Sequence, residues 1–192
     1  MKHNLKDYLF LKRNFLSKEV CEKTIKEMQD INWEQHTFHD PLTKEVKPRS
    51  GSQELEMSQQ PVSTKRFIMD EMYNALLEYQ AVHLKNCGVT TFKGWQGYTA
   101  LRLNRYSENK KMAFHDDHIH SMFDGERKGI PIVSVLGLLN DDYEGGEFVM
   151  FDDHVVDFKQ GDLLIFPSIF LYPHRVEPVK KGTRYSYISW VW

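Results

Sequence analysis

Hydrophobic and polar positions alternate differently in the two halves of the chain. From Tyr98 onward, apolar and β-branched residues come in short runs separated by Gly, Pro, Asn and Asp: 98–106, 112–118, 131–139, 147–151, 154–158, 162–166, 173–178 and 184–192. Runs of this length, each closed by turn residues, predict strands of a double-sheet jelly roll or a barrel. Before them the period is helical. Val20/Cys21, Thr24/Ile25 and Met28 share one face, with Lys18, Glu19, Glu22, Lys23, Lys26 and Glu27 largely on the other, and Ser17 stands where an N-cap is needed. This predicts a short amphipathic helix to about Asp30, with Trp33 anchoring its exit. Ile68, Met72, Leu76, Tyr79 and Val82 form a second stripe within 63–87, and Gly88 follows as a C-cap. Residues 5–16 read as a first strand or an irregular lead-in. Between 34 and 61 the pattern dissolves into Pro41, Pro48, Gly51 and the polar run Ser50–Gln53, which predicts a long loop, with a short strand as the alternative, and a candidate substrate contact.

The expected fold is mainly β with N-terminal helices: a double-stranded β-helix (jelly roll) core buttressed by two helices. At 192 residues the chain is the size of one domain, with 1–97 as helical support and loop and 98–192 as the core. Composition narrows the class further. A net charge of -2, from 25 basic and 27 acidic residues, shows no basic stripe of the kind nucleic acids select, so a nucleic-acid partner is disfavoured. Cys21 and Cys87 fall one in each predicted helix and read as free thiols, without a disulfide framework or a cysteine metal site. No stretch has the length and apolarity of a signal peptide or membrane span, which leads to the expectation of a soluble, cytoplasmic protein.

Candidate chemistry concentrates in Phe114–His120, FHDDHIH. In an extended segment, His115 and Asp117 point to one face. Together they supply two of the three groups of the 2-His-1-carboxylate arrangement that holds non-haem Fe(II) with open positions. Asp116, His118 and His120 would face away; a ligand role for Asp116 needs a helix or a kink. Of the downstream histidines, His154 follows Asp152–Asp153 in a tight turn and reads as a surface residue. His174, entering a β run after Pro173, is the better third ligand. Arg184 follows ten residues later, and a hairpin turn at Lys180–Gly182 would return it towards His174. Its planar fork suits a carboxylate, so the spacing proposes Fe(II) plus an acidic co-substrate. His36, His39 and Asp40 form another group of possible ligands, but their spacing fits no common metal motif and a polar surface loop is favoured. Arg102 lies on an inward strand face, where a guanidinium is costly unless paired. It is either a second carboxylate anchor or half of a salt bridge.

HDD at 115–117, LLNDDYEGGEFVMF at 138–151, GDLLIF at 161–166 and HRVEPVKKGTRYSYISW at 174–190 resemble, in order, the 2-oxoglutarate- and Fe(II)-dependent dioxygenases, in particular the prolyl 4-hydroxylase-like branch. The resemblance covers about residues 98–192, and the Leu16–Met28 helix is similar to that family's lead-in helix. It implies His115, Asp117 and His174 as catalytic iron ligands, Arg184 on the distal carboxylate of 2-oxoglutarate, and Tyr106 facing the co-substrate from the strand face that also carries Asn104 and Arg102. Trp190 matches a tryptophan on the Arg184 face, and Gly145 and Gly146 a pair opening a core strand. Leu138 and Phe148 depart from the family pattern, which has a tyrosine and a threonine there, and make the pocket more apolar.

The implied reaction consumes O2 and 2-oxoglutarate, gives succinate and CO2, and hydroxylates a C–H bond, with ascorbate a candidate accessory reductant. The presence of Asp117 favours hydroxylation over halogenation. The implied substrate is a peptidyl proline, held in a groove between the 34–61 loop and segment 118–130, where MFDGERKGIP reads as a loop with glycines at 125 and 129. A small molecule or free amino acid is the alternative. A non-redox cupin-like metal or ligand-binding module is the alternative of another class; it has no need of a buried arginine ten residues past its last histidine.

Overall fold

The computed structural model describes residues 4–39, 46–47, 53–117 and 130–192. A 3-10 turn at Leu5–Tyr8, capped by Asn4, leads into β1 (Phe10–Lys12), α1 (Lys18–Glu27), β2 (Glu34–Gln35), β3 (Phe38–His39), β4 (Val46–Lys47), β5 (Glu56–Ser58) and α2 (Lys65–Glu78), which continues as a π-helical turn, Tyr79–Leu84. The second half is β6 (Arg102–Tyr106), β7 (Met112–His115), β8 (Val133–Leu138), β9 (Glu144–Gly145), β10 (Phe148–Met150), β11 (His154–Val155), β12 (Leu163–Pro167), β13 (His174–Val176), β14 (Val179–Lys181) and β15 (Arg184–Val191).

Two antiparallel sheets face each other. The larger runs β1-β12-β8-β15-β6-β5-β2, the smaller β11-β10-β13-β7, and β14-β9 and β3-β4 form short ladders. Alternation along the strands of the large sheet sorts its side chains between two cores, because successive residues point to opposite faces. Leu103, Val133, Val135, Leu163, Ile165, Tyr187 and Val191 face the helices, where Cys21, Met28, Ile68, Met72, Leu76 and Tyr79 meet them. Tyr106, Leu136, Leu164, Phe166, Ile188 and Trp190 face inward and pack with Met112, Phe148, Met150 and Val176 of the small sheet. This is the jelly roll buttressed by two helices. Gly137 has a packing reason: a Cβ there would lie 2.0 Å from the ring of Tyr187, its register partner on β15.

The helices follow their stripes. The Ser17 hydroxyl accepts from the Val20 amide, and the buried hydroxyls of Thr24 and Thr64 meet at 2.7 Å, tying α1 to the start of α2. Gly88 ends the second helix at φ 82, as a C-cap requires. The expected stripe holds through Tyr79 and then fails: Val82 is 52% exposed and Leu84 is buried instead. The π-helical turn is the cause, since its wider i→i+5 winding rotates later residues off the α-helical face. Trp33 donates to the Met28 carbonyl and lies under Arg105. The 34–61 region is not loop throughout; it contributes β2 and β5 to the large sheet, where Glu56 and Arg105 are register partners and form an ion pair at 2.9 Å. Both cysteines are free thiols, and burial pushes Cys21 up to about 11. No described helix is long and apolar enough to cross a membrane.

The return of the chain from His174 to Arg184 differs from the expected hairpin. Lys180 and Lys181 belong to β14, which pairs with β9, and the turn is made by Gly182 at φ 82. β13 lies in the small sheet and β15 in the large one. Arg184 therefore approaches the interior from the facing sheet, not from a strand adjacent to His174.

Candidate metal centre and co-substrate site

β7 and β13 are hydrogen-bonded neighbours, and His115 and His174 are directly opposed in their register. Their rings lie 4.3 Å apart between centroids. Asp117 follows β7 in a bend, since the strand ends at His115 and does not run on to 118 as expected. Its carboxylate still turns inward and is 2% exposed, while Asp116 stays half-buried. The Nε2 atoms of His115 and His174 stand 3.6 and 3.8 Å from the two Asp117 oxygens. One ligand atom from each of the three residues lies within 4.8 Å of the others.

Neighbouring groups orient all three. His115 Nδ1 is 2.8 Å from the Ala113 carbonyl and His174 Nδ1 3.1 Å from the Tyr172 carbonyl. A carbonyl only accepts, so each Nδ1 carries the proton and each Nε2 presents its lone pair towards Asp117. Burial pushes His174 down to about 4, reinforced by the neighbouring His115 and opposed by Asp117. Burial alone would raise the Asp117 carboxyl; the charge of His174, the contact with His115 and the Ser134 hydroxyl outweigh it and hold the group well below the usual carboxylate range. Ser134 donates to Asp117 Oδ2 at 2.6 Å and is itself 2.7 Å from the Ser168 hydroxyl. Two imidazole Nε2 atoms and one carboxylate turned towards a common point fit a divalent first-row ion with open positions.

Arg184 is 1% exposed on the inner face of β15, opposite Tyr106 of β6 in register. Its guanidinium carbon sits 5.0 Å from the centre of the Tyr106 ring, and Nη1 donates to Ser186 at 3.0 Å. Nε and Nη2 are buried with no partner among the described residues. A buried cation with two unmet donors is costly, and a carboxylate accepting both parallel bonds satisfies the fork. Gly146, at φ 66, keeps the space open: a Cβ there would lie 3.2 Å from Arg184 Cδ. A cavity of about 290 Å³ opens onto Arg184, Gly146, Phe148 and Phe158. None of the three residues of the centre lines it; Phe148, which does, has its ring 5.3 Å from that of His174. A larger cleft of about 490 Å³ lies away from this chemistry, beside α1 and Tyr185 on the helix-covered side. Leu138 is buried beside Ser186 in register, so both departures from the family pattern are apolar groups of the interior.

The other candidates separate. His154 is in the β10–β11 hairpin, with its ring against Phe151 and away from the centre. His36 is buried against Phe38. Arg102 makes no salt bridge among the described residues; it lies over Trp190 and donates to Asn104. Asp40, His118, His120 and most of the expected 118–130 groove wall lie outside the described residues. Sequence reasoning missed Ser134 and Ser168. Ser134 did leave a signal, as the one hydroxyl in the otherwise apolar run VSVLGL.

A family model described as the 2OG-Fe(II) oxygenase superfamily matches residues 101–192. Among curated proteins, a PKHD-type hydroxylase of Xylella fastidiosa (strain M23) is 36% identical over 107 residues, covering 47% of this chain and 43% of that protein. One of Idiomarina loihiensis is 39% identical over 94 residues, covering 47% and 41%. The chain thus spans less than half the length of these relatives. Among solved structures, a Pseudomonas putida prolyl-4-hydroxylase superposes with TM-score 0.59 at 19% identity, covering 95% of this chain and 91% of that one. A Trichoplax adhaerens prolyl hydroxylase, in complex with a hypoxia inducible factor oxygen degradation domain peptide fragment, superposes with TM-score 0.63 at 17% identity, covering 97% and 84%. At these identities the superpositions show a shared fold.

Proposed function

We propose that the protein is an Fe(II)- and 2-oxoglutarate-dependent dioxygenase that hydroxylates a C–H bond of its substrate, a reading supported by the match of residues 101–192 to the 2OG-Fe(II) oxygenase superfamily model and by the PKHD-type hydroxylase relatives. His115, Asp117 and His174 would hold Fe(II), and Arg184 the far carboxylate of 2-oxoglutarate. The observation that carries this reading is the buried, half-satisfied Arg184 on the sheet facing the three-residue centre; a plain metal-binding module has no use for it. Bound Fe(II) supplies the oxidative chemistry by which O2 and 2-oxoglutarate become succinate and CO2 while C–H becomes C–OH.

The chain's own residues have separate tasks. Ala113 and Tyr172 carbonyls orient the two imidazoles, and Ser134 orients the Asp117 carboxylate. Arg184 fixes the co-substrate by its far end, with Tyr106 beneath the guanidinium limiting its swing. Phe148, Phe166 and Met150 line the interior with apolar surface and exclude water from it.

Two substrate classes are open to this machinery. A peptidyl proline is supported by the likeness of the fold to prolyl hydroxylases, one of them holding a peptide. A small molecule or free amino acid is favoured by Arg102, a second cation of the inner face. The test is succinate release from 2-oxoglutarate by the Fe(II)-loaded protein in air, across blocked prolyl peptides and free amino acids. Succinate that depends on Fe(II), O2 and a substrate is expected; absence of succinate under every condition from folded protein contradicts the reading.

A further inference from the structure

The proposed function leaves Arg102 without a task. It opens β6, two residues before Asn104 and four before Tyr106, so all three share the inner face of the strand. The guanidinium carbon lies 4.8 Å over the Trp190 ring, and Nε donates to Asn104 Oδ1 at 3.1 Å. Nη1 and Nη2 make no hydrogen bond and no ion pair among the described residues. The indole Nε1 of Trp190, the ring that Arg102 covers, is buried and lacks a partner among the described residues. This pair of side chains thus offers three donors with no acceptor among the described residues. Burial disfavours the Arg102 charge, and the Asp117 carboxylate acts in the opposite direction. Arg102 thus lies within the field of the carboxylate that completes the three-residue centre.

Arg102 and Arg184 do not serve the same ligand group. Arg184 is level with Tyr106 and Arg102 with Ile188, four residues apart along the paired strands, which is roughly 13 Å of strand. One cation sits at the co-substrate end of the interior. The other sits further along the same strand face.

We propose that Arg102, with Trp190 Nε1 beside it, binds the carboxylate of the primary substrate, and that this substrate is a small carboxylic acid of the free amino acid class. The inference rests on the proposed function and selects between its two substrate classes. A proline inside a peptide is flanked by neutral amides and offers no anion to these donors. A free acid oxidised a few bonds from its carboxylate does. Stacking on the indole fixes the plane of the guanidinium, and the Asn104 contact leaves its outer edge free to grip both carboxylate oxygens.

The experiment uses the Fe(II)-loaded full chain with saturating 2-oxoglutarate and the twenty free L-amino acids, each paired with its C-terminal amide, plus blocked prolyl peptides. Succinate formation is measured for wild type, Arg102→Met and Arg102→Lys. Binding of 2-oxoglutarate is followed separately under anaerobic conditions by the visible Fe(II)–2-oxoglutarate charge-transfer band. At least one free acid is expected to outperform its amide about tenfold or more in wild type, as loss of a charge-assisted pair predicts. Arg102→Met raises the KM for that acid by about tenfold to a hundredfold and erases the preference over the amide, Arg102→Lys retains part of it, and neither changes 2-oxoglutarate affinity. The inference is overturned if no free acid stimulates turnover, if acid and amide are equivalent, if only blocked peptides stimulate, or if Arg102→Met weakens 2-oxoglutarate instead. Should Arg102→Met not fold, the acid-against-amide comparison in wild type and Arg102→Lys decides alone. Failure of wild type to form the band removes the dioxygenase reading itself, which is a different result.

Discussion

Arg184 is the residue on which the co-substrate assignment turns. Its Nη1 is satisfied by Ser186, while Nε and Nη2 are buried and unmet. Replacing it with Ala removes a charge-assisted fork worth about 1.5–3 kcal/mol, so 2-oxoglutarate affinity falls about tenfold to a hundredfold while Fe(II) affinity is retained. Anaerobic titration of each ligand separates the two; unchanged 2-oxoglutarate affinity removes Arg184 from the anchor role. Protonation gives a second prediction. Unfolded His174 takes up its proton near 6.5, whereas burial delays uptake in the folded, metal-free protein to about 4. The unfolded chain binds more protons between those values, so stability rises with pH across that window and is lost as pH falls from 6.5 to 4. His83, also lowered by burial, acts in the same direction. Urea unfolding of the apo-protein checks this, and His174→Gln is expected to flatten the slope. The residue types of His115, Asp117, His174 and Arg184 could be read directly, because few structural needs place them in that order on a β pattern. Ser134 and Ser168 could not, since a serine hydroxyl in a strand has many uses and its partner is set only by the packing of β8 against the bend at Asp117.

At the scale of elements, periodicity located all eight runs of the second half as strands and both helices, with shorter bounds. It was least specific where an element depends on a partner. β2 and β5 are two and three residues long and exist through pairing with each other and with β6, so their own sequences carry no strand pattern. The hairpin expected between His174 and Arg184 failed for a related reason: Lys180–Gly182 has turn composition, yet β9 captures the lysines in a ladder. The π-helical turn is the third case, an inserted winding that a 3.6-residue period does not anticipate. It also supplies a prediction. Ile68 and Val82 both lie on the expected stripe, but Ile68 is buried and Val82 is exposed. Ile68→Ala costs about 2–5 kcal/mol of stability, and Val82→Ala stays within about 0.5 kcal/mol, as measured by urea denaturation. Equal effects would show that the helix keeps an α-helical stripe throughout.

For the molecule as a whole, the large sheet divides the labour. One face is closed by α1 and α2, and the other meets the small sheet around the chemistry. The jelly-roll class was readable from the number and spacing of short apolar runs. Strand order was not, because the strands that carry the metal centre (β7 and β13) and those that carry Tyr106 and Arg184 (β6 and β15) are joined by pairings distant in sequence. The site exists only once both sheets have formed, the small sheet and the bend after it contributing His115, His174 and Asp117 and the large sheet Arg184. If one interior holds Fe(II) and 2-oxoglutarate together, anaerobic titration of the protein with both produces a visible charge-transfer band that requires the two ligands at once and disappears in His174→Ala. Folded wild-type protein that shows no such band at saturating Fe(II) and 2-oxoglutarate would contradict such joint binding.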